Sequence, residues 1–431
     1  MPEIHFPPGY PCLLALAGAV DAASLARAGF LQAALMALNV LLLALVASRV
    51  ARVPRAGAIA AWLLVAATPI LDVHAMVWSE GAFIALVLAA IGLAAAAFDT
   101  GRFGLWAGCG LCVGLGILTR YAGVTLVPAF LFAIARHREW PRRPRVQAAG
   151  VLAAAAIVLP AAWLLRNTWL GGAPTDRPLA FHALDAGHLR ILAPLALALA
   201  AAAFIARRRS AGIRLAVAAA VSYVSLVTLS IVAFDADTPL DTRILVPLLP
   251  LALVTIAPWL VSPPPWARVV LATSIAAGVA HGIVVADGRG LEGDGFNTRY
   301  WRDALTESGL RPGTAPVYTN VPEWVAFQTG REVRDIPARH SRVSLRAREE
   351  YSAELEAMCD ALEAGAVLVY FEGVTWRWEI PPEDEISAAC HRPATASSDG
   401  LHAAALREGG WRTPKPTAAS GHRYARPGVG G

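Results

Sequence analysis

Ionisable residues interrupt long apolar runs at three places in this chain, and these are its candidate sites of chemistry. A charged group beside an apolar run needs an opposite charge, a water-filled cavity or a function. The first place contains Asp72, His74 and the Trp-Ser-Glu sequence at residues 78–80. Ser79 and Glu80 suit the first turn of a helix. Helix capping does not account for Asp72 or His74. The other explanation is that Asp72 or Glu80 is catalytic and that His74 contacts the substrate.

The second place is Arg120, in the sequence Leu-Thr-Arg-Tyr-Ala-Gly at residues 118–123. A guanidinium between two short apolar segments can bind a phosphate or diphosphate through two parallel hydrogen bonds. The alternative is a structural ion pair with a carboxylate on the same side of the membrane. Tyr121 adjoins this arginine and is a candidate substrate contact.

The third place holds Asp235 and Asp237, then Asp241 and Arg243 ahead of a proline-containing segment. Asp241 and Arg243 can pair with each other, and an exposed pair contributes only about 0–1 kcal/mol. Alternatively, the two residues bind a polar head group at the membrane surface. Arg243 would then bind the donor phosphate, and Asp241 would contact the substrate. The residues alone leave both interpretations open.

Other chemistry is not indicated. The sequence contains no metal-ligand spacing, no P-loop and no glycine-rich dinucleotide motif, so nucleotide hydrolysis is not supported and no cofactor or set of metal ligands is predicted. The external carboxylates leave assistance by a divalent metal open. Cys109 and Cys112 lie inside an apolar run and are expected to be packing residues. Cys359 and Cys390 share the C-terminal region and can form a disulfide if that region faces an oxidising compartment.

The elements that position these residues are transmembrane helices. Apolar residues make up 56% and charged residues 16% of the 431 residues, and the mean hydropathy is +0.51, which ordinary soluble domains do not reach. A helix needs about 20 apolar residues to cross the hydrocarbon core. About ten such runs are predicted, at approximately 29–49, 57–72, 81–98, 103–118, 121–135, 146–165, 188–206, 213–234, 244–261 and 266–286.

The predicted sidedness follows from arginine asymmetry in the short loops. Alternate loops are rich in arginine, such as residues 136–145 and 207–214, and are expected on the cytoplasmic side. The loops with Asp72, Glu80 and Asp241 are expected on the other side. Residues 1–27 would then be external without a preceding span, so we expect either unaided translocation or a true start upstream that supplies a first helix.

The composition changes near Ala286, where ordinary globular composition begins. Two domains are therefore predicted, residues 1–286 in the membrane and residues 287–431 outside the cytoplasm. In the second, an amphipathic helix at 298–310 precedes alternating strands and helices, and the tail after about residue 393 is expected to be flexible or to add one strand near Tyr424. The predicted fold class is an all-α polytopic membrane bundle with a small C-terminal α/β extracytoplasmic domain.

The net charge of +5 does not indicate nucleic-acid binding, because the arginines cluster in short loops and no basic face alternates with aromatic residues. Lys415 is the only lysine, and alanine is abundant. This composition suggests a GC-rich bacterial genome, so the predicted location is the bacterial inner (cytoplasmic) membrane. Membrane lipid is the expected surrounding partner.

Four short sequences together resemble the GT-C membrane glycosyltransferases, in the branch of the protein mannosyltransferases and aminoarabinose transferases. They are His-Phe-Pro-Pro-Gly-Tyr-Pro at 5–11, Trp-Ser-Glu at 78–80, Leu-Thr-Arg-Tyr-Ala-Gly at 118–123 and Asp-Thr-Arg at 241–243 ahead of Pro247. Residues 317–320 with Gly330 and Arg331 resemble the extracytoplasmic domain of bacterial members. The resemblance covers most of the chain.

The resemblance implies transfer of a sugar, with inversion, from a polyprenyl-phosphate donor to a glycan, lipid or protein acceptor outside the cytoplasm. In such enzymes a carboxylate in the first external loop is the general base, and the chain begins too late to contain it at the matching position. The main base is therefore expected upstream of Met1, in a first helix and loop that a truncated chain would lack. The other expectation is a homologue without catalysis.

Two functions from other classes remain as alternatives. The first is a transporter or flippase for a lipid-linked or polar solute, which paired halves with matching broken helices would favour. The second is a non-catalytic membrane scaffold whose C-terminal domain binds a partner. The carboxylate expected upstream of Met1 discriminates between these hypotheses, because the enzyme needs it as a base and the scaffold does not.

Overall fold

The computed structural model describes residues 7–20, 24–171, 181, 183–207, 209–234, 240–289, 305, 315–341, 346–371, 374 and 377–390. Met1, Asp235, Asp237, most of the predicted helix at 298–310 and the tail beyond residue 390, with the predicted strand near Tyr424, lie outside these residues. The base predicted upstream of Met1 therefore also lies outside them. Two compact units make up the chain: residues 1–298 with 340–347, and residues 299–339 with 348–431. We call them the helical unit and the sheet unit.

The helical unit consists of thirteen helices among its described residues, with a 3-10 turn at Tyr121–Thr125 and another at Trp259–Val261. Prolines or glycines mark several helix ends, because proline lacks the amide hydrogen that continues a helix. The helices are α1 (Gly9–Leu16), α2 (Leu25–Ala51), α3 (Pro54–Val65), α4 (Thr68–Ala75), α5 (Glu80–Thr100), α6 (Phe103–Thr119), α7 (Leu126–Arg136), α8 (Arg142–Gly171), α9 (Ala186–Ala206), α10 (Ala211–Ala233), α11 (Thr242–Leu245), α12 (Leu248–Ile256) and α13 (Pro265–Arg289).

Six of the described helices are long and apolar enough to cross a membrane, namely α2, α5, α8, α9, α10 and α13. The α3–α4 pair, bent by 62°, brings the number to seven if it is one span. The chain is therefore a multi-pass membrane protein with a mostly helical bundle. The other predicted runs, 103–118, 121–135 and 244–261, are short or interrupted helices, because Arg120 ends α6 and Pro247 and Pro258 break the last run.

Helix α5 lies at the centre of the bundle, and 72% of its most apolar window is buried. It packs against α2, α6 and α10. By contrast, 11% of the corresponding window of α9 and none of that of α13 is buried. Exposed apolar side chains such as Leu197 and Val269 cover these two helices, as expected for surfaces that face lipid.

Helices α6 and α8 approach each other closely because glycines face the contact. A Cβ atom on Gly110 would lie 2.4 Å from the Leu152 carbonyl oxygen, and one on Gly114 would lie 2.9 Å from that of Ala156. Small residues four positions apart let two membrane helices pack backbone against backbone. The contact fixes the course of α6, whose end carries Arg120.

The sheet unit contains a three-stranded parallel sheet in the order β2-β1-β3, with β1 (Val317–Thr319), β2 (Val333–Asp335) and β3 (Val367–Val369). Its helices are α14 (Pro322–Thr329), α15 (Tyr351–Glu363) and α16 (Glu383–Ala389). Alternating residues of the central strand enter different apolar clusters: Tyr318 packs with Met358, and Val317 packs with Trp324. The predicted alternation of strands and helices is observed between residues 316 and 371.

Cys359 within α15 and Cys390 after α16 form a disulfide with a Cα–Cα distance of 5.1 Å. The pair predicted from the sequence is therefore present. Cys109, by contrast, is free and fully buried in α6, in agreement with a packing role.

Candidate functional site

A carboxylate–guanidinium cluster forms where the ends of three helices meet in the helical unit. Glu80, the first residue of α5, has no exposed surface. Its Oε1 accepts hydrogen bonds from Nη1 of Arg120 and from Nε of Arg243, the latter at 2.6 Å. Nη1 of Arg120 also lies 3.3 Å from Oγ of Ser79. The structure thus brings together three of the predicted site residues, and we call Glu80, Arg120 and Arg243 the arginine cluster.

Backbone geometry directs Arg120 toward Glu80. The residue is extended, with φ of −149° and ψ of 130°, while its amide still donates to the Gly116 carbonyl of the last α6 turn at 2.9 Å. A 3-10 turn, Tyr121–Thr125, then leads into α7. The side chain therefore leaves the chain at a sharp break between two helices.

Arg243 is placed by a short helix with two anchors. Oδ1 of Asp241 accepts a hydrogen bond from the backbone amide of Ile244 at 3.0 Å and caps α11. The Tyr223 hydroxyl of α10 donates to the Ile244 carbonyl at 2.7 Å. The guanidinium lies 4.5 Å from the centroid of the Trp78 ring, a distance that allows a cation–π interaction.

The arginine cluster carries a formal charge of +1, since two guanidiniums face one carboxylate. The side chain of Glu80 is fully enclosed, whereas those of Arg120 and Arg243 are 15% and 41% exposed. The N-terminus of α5 adds a partial positive charge at the same place. Because an arginine has five N–H donors, both side chains keep donors for a second partner. The arrangement suits an oxyanion such as a phosphate.

The structure decides several of the alternatives for local pairing. Glu80 is ion-paired with two arginines, and Ser79 makes no side-chain capping hydrogen bond to α5. Arg120 forms an ion pair with a carboxylate, which was the alternative to phosphate binding in the sequence analysis. Asp241 caps a helix, and the ion pair of Arg243 is with Glu80 and not with Asp241.

His74 lies in α4 and is buried. Its Nδ1 is 2.7 Å from the Ile70 carbonyl, which can only accept, so Nδ1 carries the hydrogen. Nε2 then accepts from Nδ2 of Asn39 at 3.0 Å. Both ring nitrogens thus have partners inside the protein, and the substrate contact predicted for His74 stays a prediction.

The remaining predicted residues lie near the cluster in sequence. Asp72 is half-buried in α4, two positions before His74. The Tyr121 hydroxyl, directly after Arg120, accepts a long hydrogen bond from Nε1 of Trp163 at 3.4 Å. No group of three or more His, Cys, Asp or Glu residues in the described part of the chain is arranged to hold a metal ion.

Sequence reasoning missed a buried polar network behind the arginine cluster. Nε2 of Gln32 donates to the Tyr10 hydroxyl at 2.7 Å and to the Trp78 carbonyl at 2.8 Å. Nδ2 of Asn39 donates to the Gly81 carbonyl at 2.9 Å, in addition to His74. The sequence feature that could have predicted this network is the seven-residue spacing of Gln32 and Asn39. This spacing places two amide side chains on one face of an otherwise apolar helix.

Comparison with protein families identifies the N-terminal part of the chain. Residues 5–163 match the family model described as dolichyl-phosphate-mannose-protein mannosyltransferase. No curated protein matches the chain. The matched region contains Glu80 and Arg120, whereas Arg243 lies beyond it. The predicted resemblance is confirmed over residues 5–163, where this multi-pass membrane protein is similar to the dolichyl-phosphate-mannose-protein mannosyltransferase family.

Proposed function

We propose that this protein transfers a sugar from a polyprenyl-phosphate donor to an acceptor on the extracytoplasmic face of a membrane, with inversion at the anomeric carbon. The observation that carries the proposal is the arginine cluster. Two guanidiniums held on one enclosed carboxylate, at the end of a helix long and apolar enough to span a membrane, form a cationic site suited to the phosphate of a lipid-linked donor. The similarity of residues 5–163 to the mannosyltransferase family supports the same class of reaction.

In this reaction the acceptor oxygen bonds to the anomeric carbon as the bond between that carbon and the phosphate oxygen breaks. The electron pair of the broken bond stays on the leaving phosphate, whose negative charge increases. Arg120 and Arg243 are assigned to neutralise that charge through their remaining N–H groups. The acceptor hydroxyl gives its proton to a carboxylate.

Of the two carboxylates predicted as catalytic, Glu80 has its Oε1 committed to both arginines. We therefore assign Glu80 to positioning the arginine pair and keep Asp72 as the candidate proton acceptor among the described residues. The main base that the resemblance implies upstream of Met1 stays a prediction. Tyr121 and Asp241 remain predicted substrate contacts. Asp241 also caps the helix that carries Arg243, so its substitution would move that arginine.

The proposed topology has the sheet unit outside the cytoplasm of a bacterial cell. The three residues of the arginine cluster come from loops predicted on the external side. Arg49 and Asp99, from two loops predicted on the cytoplasmic side, pair with each other at 2.9 Å. The Cys359–Cys390 disulfide also supports an external sheet unit, because disulfides persist in oxidising compartments.

The test is to add radiolabelled polyprenyl-phosphate sugars to membranes that contain the full chain and to measure transfer to endogenous acceptors. We expect transfer to depend on the protein and to be abolished by Arg120→Ala. The matched control is Arg49→Ala, which removes an arginine from an exposed ion pair in a loop assigned to the other side. Retained transfer in Arg120→Ala, with Arg49→Ala equally active, would remove the assigned role of the cluster.

A further inference from the structure

A cleft of about 410 Å³ opens in the sheet unit, next to the carboxyl end of β2. Asp335, the last residue of β2, and Ile336, which follows it, line one side, and residues of α15 line the other. Its volume falls within the range of about 300–1,000 Å³ that is usual for small-molecule sites. Ligands of open α/β sheets also bind beyond the carboxyl ends of parallel strands.

Ion pairs form the walls of this cleft. Nη2 of Arg377 lies 2.7 Å from Oδ1 of Asp335. Arg348 holds both carboxylate oxygens of Glu354, with Nη1–Oε2 at 2.9 Å and Nη2–Oε1 at 2.7 Å. A third arginine of the lining, Arg334, is paired with Glu332 at 2.9 Å. Nε of Arg377 also lies 2.8 Å from Oε1 of Glu379, so each guanidinium of the lining has at least one carboxylate partner.

This charge balance discriminates between classes of ligand. A free anion would have to displace Asp335 or Glu354 from its arginine, and a free cation would have to displace an arginine from its carboxylate. A neutral polyhydroxylated molecule faces neither cost. Its hydroxyls can donate to carboxylate lone pairs and accept from guanidinium N–H groups that the ion pairs leave unused. Ile336 and Met358 are buried beneath the lining, and the accessible apolar surface for the C–H face of a sugar ring comes from Ala338, which is half-buried, and Ala357, which is exposed.

We propose that this cleft binds a neutral saccharide, as a glycan site separate from the arginine cluster. The paired carboxylates and guanidiniums supply alternating acceptors and donors at fixed positions. The proposal does not depend on the sugar-transfer reaction, because every residue of the cleft belongs to the sheet unit.

The experiment measures binding of short neutral oligosaccharides, and of their phosphorylated and sulfated counterparts, to the purified full chain in lipid nanodiscs. Glu354→Gln and Arg348→Gln break the bidentate pair of the cleft, and we expect each to weaken neutral-glycan binding at least tenfold. Arg348→Lys keeps the charge but not the two parallel hydrogen bonds, so an intermediate loss is expected.

The matched control is Glu385→Gln. Glu385 pairs with Arg339 at 2.8 Å, and this pair is about as exposed as the cleft pair. The side chains of Arg339 and Glu385 are 35% and 40% exposed, and those of Arg348 and Glu354 are 32% and 40% exposed. Neither Arg339 nor Glu385 lines the cleft. Binding retained in Glu385→Gln and lost in the two cleft variants supports the proposal. No binding of neutral glycans, preference for the anionic counterparts, or full binding by Glu354→Gln would overturn it, whatever the transfer activity.

Discussion

Arg243 donates from Nε to Oε1 of Glu80 at 2.6 Å, although 163 residues separate the two in the sequence. The ion pair links the first turn of α5, at the centre of the bundle, to the short helix α11. It also holds Arg243 within reach of Arg120, because both arginines share one carboxylate oxygen. The candidate site therefore exists only when the distant parts of the helical unit have packed.

Arg243→Ala is expected to lower sugar transfer by about 10²–10³-fold, the cost of losing one positioned donor to a developing oxyanion. Glu80 would still be paired with Arg120 in this variant, so folding should be retained. Arg243→Lys should lose less activity, because the charge remains while the planar donor group does not. Initial rates with a radiolabelled lipid-linked sugar measure the effect, and an unchanged rate for Arg243→Ala would contradict the assignment.

Gly110→Ala is expected to destabilise the helical unit, because the added Cβ would lie 2.4 Å from the Leu152 carbonyl oxygen and would force α6 and α8 apart. Gly104→Ala on the same helix is the matched control, since its Cβ would meet nothing within 4 Å. Thermal unfolding in detergent should show a lower midpoint for Gly110→Ala alone. Equal midpoints would show that the helices tolerate the extra methyl group.

Cys359→Ser is expected to destabilise the sheet unit by roughly 2–4 kcal/mol, because the disulfide restricts the unfolded chain. The cross-link joins residues 31 positions apart. Cys12→Ser serves as a control, as Cys12 is free and exposed. Mass spectrometry of peptides from the non-reduced protein should detect the 359–390 linkage. Free thiols at both positions in freshly prepared membranes would argue against an external sheet unit.

His137 is expected to make the stability of the bundle depend on pH. The residue lies between α7 and α8, with its ring 4.6 Å from that of Phe98 and 5.0 Å from that of Trp140. Burial lowers the pKa of His137 below its ordinary value of 6.5. Its contribution to stability is therefore complete above pH 6.5 and is lost as the pH falls from 6.5 through the lowered pKa.

His137→Phe should remove this part of the pH dependence while keeping the ring contacts. Glu139→Gln is the informative partner variant, because the Glu139 carboxylate, 3.9 Å from Nε2, favours the protonated ring. Its removal should increase the loss of stability on acidification. Unfolding midpoints above and below pH 6.5 measure both effects, and parallel curves for the native protein and His137→Phe would refute the prediction.

The sequence predicted the helices well, because each apolar run needs only local information. It also located Glu80, Arg120 and Arg243 individually, since a charged residue beside an apolar run is conspicuous. It did not predict that they meet. That contact depends on how α5, α6 and α11 pack, and the sequence offered Asp241 as a nearer partner for Arg243.

Other errors have equally physical causes. The number of continuous spans was overestimated because the runs at 103–118 and 121–135 were counted as spans although each is a short helix beside Arg120, and because hydropathy does not register the prolines between residues 247 and 258. Gln32 and Asn39 were overlooked because single amides barely change the hydropathy of a long run. Their importance follows from the backbone carbonyls of Trp78 and Gly81, whose positions only the packed structure reveals.

The glycine contact between α6 and α8 has a mechanical consequence. Two helices in backbone contact, such as α6 and α8, are expected to move only as one body. Arg120 at the end of α6 is therefore attached to a rigid helix pair. Arg243 stands instead on the four-residue helix α11, which is held by a cap and one tyrosine hydroxyl. If binding of a lipid head group moves the two arginines apart, we expect α11 to change position while α6 and α8 stay in place.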